Sequence, residues 1–135
     1  MMRKICVILF LLFVAGILSG CGATPANLRE DGPAFIFTVP KGTPQEFSRC
    51  LVGQLDDKFF NGILRDHPDG NTTVLIKDSD QLETRIMFDI DKTINGLNIL
   101  VYFSWCSGEI CDRNNLVFPT IVEVLNACGA KEVKR

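Results

Sequence analysis

The chain has little of what catalytic and metal centres are made from. One histidine, His67, stands among 135 residues, so no pair of imidazoles at ligand spacing exists. No C-x-x-C occurs, which removes the usual dithiol redox motif. No nucleophile elbow surrounds Ser48, Ser79, Ser104 or Ser107, and no Gly-rich loop is there to cradle a phosphate. EF-hand spacing is absent as well. Positive charge is modest: 14 Lys and Arg stand against 16 Asp and Glu. Without a basic stripe, such a domain is repelled by nucleic acid and by anionic head groups. No apolar run reaches the ~20 residues that a spanning helix needs. Internal repeats and low-complexity segments are missing too.

What is present begins at the amino terminus. Met1-Met2-Arg3-Lys4 is short and basic. Ile5 to Leu18 is an uncharged run of fourteen residues, too short to span a bilayer but right for the core of an export signal. Small residues follow, Ser19, Gly20, Cys21, Gly22 and Ala23. Leu18-Ser19-Gly20-Cys21 resembles the lipobox of bacterial lipoproteins. That resemblance covers residues 1 to about 22 and implies a diacylglycerol on the Cys21 sulfur. It also implies cleavage before Cys21 and acylation of the new amino terminus, with fatty chains such as palmitate. Two or more acyl chains hold a protein stably on a membrane. Removing Arg3 and Lys4 leaves 12 basic against 16 acidic residues, a net charge of −4. In Gram-negative lipoproteins, Asp after the anchor Cys retains the protein at the inner membrane. Gly22 stands there, so the resemblance implies the outer membrane, facing the periplasm, if the source is Gram-negative. No cofactor is expected beyond the lipid on Cys21.

Of six cysteines, Cys6 leaves with the signal and Cys21 takes lipid. Cys50, Cys106, Cys111 and Cys128 remain, an even number in an exported domain, which reads as two disulfides. Zinc is the competing reading, but Cys106 and Cys111 have no second short pair and His67 has no partner at ligand spacing. Four cysteines allow three connectivities.

Three segments are expected: a signal peptide over 1–20, a lipidated terminus and tether over 21–33, and an α+β domain over 34–135. Residues 34–40 read as a strand. Thr43, Pro44 and Glu46 form a capping box with Pro in the first turn. Phe47, Leu51, Leu55 and Phe59 then recur on one helical face, with Gly62 as a stop. Residues 63–71 read as a loop. Strands are expected over 72–77, 82–90 and 97–105, joined by turns at 78–81 and 91–96. Residues 106–115 read as a loop, and 116–128 as a second helix capped by Gly129. The order is β-α-β-β-β-α. It predicts a two-layer sandwich, a mostly antiparallel four-stranded sheet with both helices on one face. The order resembles the helix-grip pattern, an analogy of fold that licenses no function. On this path the two helices run parallel, which favours Cys50–Cys128, with Cys106–Cys111 closing a local loop.

Chemistry is thin beyond this. His67 reads as a solvated turn residue. Asp69, Asp89 and Asp91 could share one edge, where three carboxylates could hold calcium, but ordinary turn chemistry is the preferred reading and no metal is expected. Ile36, Leu100 and Tyr102 face away from the helices and are candidates for a partner surface, unless loops or the tether cover them. The expected function is therefore non-enzymatic: a lipid-anchored envelope protein whose domain binds another envelope protein. The alternative is a module that holds a small apolar or lipid ligand between sheet and helices.

Overall fold

The computed structural model describes residues 24–77, 84–104 and 117–133. Cys21, Cys106, Cys111 and Trp105 lie outside them, as do the turn at 78–81 and the loop at 106–115. The described chain is mixed α+β. Its elements are α1 (Pro25–Asp31), β1 (Phe35–Val39), α2 (Pro44–Asp57), β2 (Gly62–Asp66), β3 (Thr72–Lys77), β4 (Thr84–Thr93), β5 (Gly96–Phe103), α3 (Val117–Ala127) and β6 (Lys131–Glu132). The strands form one antiparallel sheet in the order β2-β3-β4-β5-β1-β6.

The antiparallel sheet and the two long helices agree with the pattern in the sequence. The strand count and the order do not: the described residues form six strands and three helices. Each added element has a physical reason. Thr72 to Ile76 of β3 are all buried, so the backbone groups on its outer edge need partners. β2 supplies them from residues expected to be a loop, in register from Gly62↔Ile76 to Asp66↔Thr72. The expected turn survives as the tip of this hairpin, where His67 N donates to Asn71 O at 3.0 Å and Gly70 has φ +87°. β6 does the same for β1, and Val133 N donates to Ile36 O at 2.9 Å.

α2 starts as its capping box demands. Thr43 Oγ1 accepts from Glu46 N at 3.2 Å, and Pro44 occupies the first turn. Its stop comes earlier than Gly62. Phe59 takes φ +65°, while Phe60 N donates back to Leu55 O at 2.9 Å. This is a left-handed helix end, a position usually held by Gly. Phe47, Leu51 and Leu55 are buried as their spacing requires, but Phe59 lies past the end of the helix and is fully exposed.

α2 and α3 both pack on one face of the sheet. Phe47, Leu51, Leu55, Ile121 and Leu125 meet Phe37, Phe88, Ile90, Ile99 and Val101 in one cluster. The extra strand β2 reverses the chain once more than expected, so the helices run antiparallel, not parallel. Two links show it: Cys50 is bonded to Cys128, and Lys58 Nζ, at the C-terminal end of α2, reaches Glu123 Oε1 at 2.9 Å, further back along α3. The long-range disulfide forms all the same, with a Cα–Cα distance of 5.8 Å.

Strand alternation sends a second set of residues to the opposite face. Leu75, Met87 and Tyr102 are cross-strand neighbours there, and α1 lies over them with Leu28 buried among them. The stretch expected as tether thus contains a helix. Thr24 caps it through Asn27 N at 3.3 Å, and Pro25 sits in its first turn.

Candidate functional site

The face beneath α1 carries the densest polar chemistry of the described chain. Asp89, in the middle of β4, is 8% exposed. A carboxylate so placed requires partners. Arg29 of α1 provides two, Nε to Oδ2 and Nη2 to Oδ1, each at 2.8 Å. Thr73 Oγ1, on the neighbouring strand and in register with Asp89, donates to Oδ1 at 2.7 Å. His67 Nε2 lies 2.7 Å from the same hydroxyl, and Arg29 Nη2 lies 3.4 Å from it. Leu28 and Arg29 therefore fix α1 together, one by burial and one by a forked ion pair.

The direction of these bonds decides what the group can do. Thr73 has one proton, and the carboxylate takes it. The hydroxyl oxygen must then accept from His67, so Nε2 carries a hydrogen. A general base would need that nitrogen free. Thr73 is no nucleophile either, since its lone pairs face two donors. The set is a clamp, not a proton relay. His67 is consequently not the solvated turn residue expected from its sequence; it is half-buried and bonded.

The electrostatics agree with a local excess of negative charge. Asp91 is held above the usual carboxylate range, first by burial and then by the charges of Asp89 and Asp69. Tyr102 is raised by burial and by Asp89. Arg29 is raised chiefly by its hydrogen bond to Asp89. Asp69 accepts from Asn71 N at 2.9 Å and from its side-chain amide at 3.2 Å. Among the described residues no three His, Cys, Asp or Glu side chains come together as metal ligands.

The three residues named as a partner surface part company. Tyr102 is 5% exposed, covered by Leu28. Ile36 and Leu100 are half-buried and paired across β1 and β5, and Leu100 is in register with Asp89 on its other side. They form an apolar step beside the clamp. Sequence reasoning missed Leu28, Arg29 and Thr73. The signal for the first two was Thr24-Pro25, a helix start of the same type as Thr43-Pro44, in a stretch too short to show periodicity.

Docking of α1 is finely balanced. Burying Leu28 contributes about 2 kcal/mol. A half-exposed ion pair adds about 1 kcal/mol, and the Thr24 cap about 1 kcal/mol. Ordering seven residues costs about 1 kcal/mol each, partly offset by the helix's own hydrogen bonds. A helix of this length does not persist without its contacts.

On the opposite side of the sheet the main core is tightly packed. Phe37, Leu51, Leu55, Phe88, Ile90, Ile99 and Leu125 are each without exposure. An open cleft lies instead at the outer end, lined by Pro40, Asn95, Asn98 and Lys131 among others. Compared with known protein families, curated proteins and solved structures, the chain matches none.

Proposed function

We propose that this chain is a lipid-anchored envelope protein, held by Cys21, whose domain binds another envelope protein and carries out no catalysis. With Gly22 after the anchor, its place in a two-membrane envelope is the outer membrane, with the domain in the periplasm. The observation that carries the reading is the face opposite α2 and α3, where the apolar step of Ile36 and Leu100 lies half-open beside the forked, half-exposed ion pair of Arg29 and Asp89. Partner surfaces combine an apolar centre with fixed polar groups in this way. Phe37, Leu51, Phe88, Ile99 and Leu125, which meet between the sheet and the helices, are without exposure, which favours protein binding over an interior apolar ligand.

A photo-crosslinking residue at Leu100 tests this in intact membranes. The expected result is one stoichiometric adduct at position 100, absent from a control at Ile94 and lost in Cys21→Ser. Adducts of equal yield at both positions, or none at position 100, would overturn the assignment of the surface. Lipid on Cys21 is checked separately by intact mass.

A further inference from the structure

If Cys21 is the anchor, α1 decides how far the domain stands from the membrane; this inference rests on that proposed reading. With α1 docked, only residues 22–24 separate Cys21 from a helix fixed to the sheet, a reach of about 10 Å. With α1 released, residues 22–33 become free chain, with a reach of about 40 Å. We propose that α1 is a releasable clasp that switches the domain between a short leash and a long one.

Four observations carry this. Docking uses one buried apolar side chain, Leu28, and one ion pair, Arg29 with Asp89. Arg29 is itself 42% exposed in its side chain, so its half of the clasp is open to water. Part of the polar set beneath does not depend on α1: Thr73 stays bonded to His67 and to Asp89 Oδ1, while release of α1 opens Asp89 Oδ2, the partner of Arg29 Nε, to water. The sheet is complete without α1, since β1 is held by β5 and β6 and the main core lies on the other face. Segments of this kind open locally while the rest of the domain stays folded. Release also uncovers Leu75, Met87 and Tyr102 and extends the Ile36–Leu100 step into a continuous apolar surface with Asp89 at its border. Short reach thus goes with a covered surface, and long reach with an open one.

Arg29 is a trypsin site inside the clasp, which makes the test direct. The full-length protein is placed in vesicles of phosphatidylethanolamine and phosphatidylglycerol and treated with trypsin. Cleavage after Arg29 frees a fragment that begins at Glu30, and its appearance is followed by mass. In the wild type this cut is expected at least tenfold faster than cuts after Arg49 in α2. Asp89→Asn, which weakens the clasp but keeps Arg29, should speed it a further tenfold and leave Arg49 unchanged. Leu28→Ala should act in the same direction and guards against a local effect at Asp89. Cleavage after Arg29 at the pace of Arg49, unaltered in both variants, would overturn the clasp. A chain that never partitions into the vesicles, yet shows the same fast cut in solution, would refute the anchor and leave the clasp standing.

Discussion

At the scale of single residues, one position is fixed by geometry that a side chain cannot share. Gly96 follows the two-residue turn of Ile94 and Asn95, with φ +137°. A Cβ there would lie 2.0 Å from the carbonyl oxygen of Val39. Gly96→Ala must push β1 and β5 apart, and should cost about 3 kcal/mol, read as a fall in the denaturant midpoint without a change in slope. Asp91 makes a prediction about pH. The folded protein holds its proton more tightly than the unfolded chain does, because burial and two neighbouring carboxylates disfavour its charge. Folding therefore takes up a proton just above the ordinary carboxylate range. The contribution of Asp91 to stability rises as pH falls through that window and is lost above it. Asp91→Asn should raise Tm at neutral pH and flatten the dependence in that window, as thermal unfolding at several pH values will show. Such residues were only partly legible. Asp89, Asp91 and Met87 declare their shared or opposed faces by alternation alone. That Arg29 neutralises Asp89 was not legible, since sixty residues separate them and no periodic signal links them.

At the scale of elements, helices with strong local chemistry were readable and edge strands were not. Thr43, Pro44 and Glu46 state the start of α2 within four residues. Thr43→Ala should remove one cap and cost about 1 kcal/mol, measured by chemical denaturation. The stripe of Phe118, Ile121 and Leu125 places α3 equally well, and all three are buried. β2 and β6 follow a different logic. Gly62-Ile63-Leu64-Arg65-Asp66 has no alternation of apolar and polar residues, and Lys131-Glu132 is two charged residues. They become strands because β3 and β1 have bonding edges to fill. α1 belongs with them: its helix exists because the face beneath it is apolar, and its cap signal only says where it begins. The candidate site was therefore half-visible: Asp89, Leu100 and Tyr102 of the sheet stood out in the sequence, whereas Thr73 and the cover of Leu28 and Arg29 did not.

At the scale of the whole molecule, the disulfide joins α2 to the end of α3 across most of the domain. Cys50 and Cys128 close a loop of 78 residues, which in the chain-entropy description stabilises by about 4.5 kcal/mol. The pair Cys50→Ser and Cys128→Ser should lower Tm by about 20 °C, and reduction of the wild type should approach the same value in calorimetry. The pairing was anticipated on a wrong path, through parallel helices; the antiparallel pair reaches it because Cys128 ends α3 beside the first half of α2. The margins of the sheet have a consequence of their own. One margin is β2, five residues with Arg65 and Asp66 exposed, and the other is β6, two residues long. Short, charged margins are poor templates for strand addition. Proteins fastened by one end to a bilayer share two dimensions and meet their own copies often. A sheet finished in this way favours brief collisions over growth into fibres, so the domain can be crowded on a surface without polymerising.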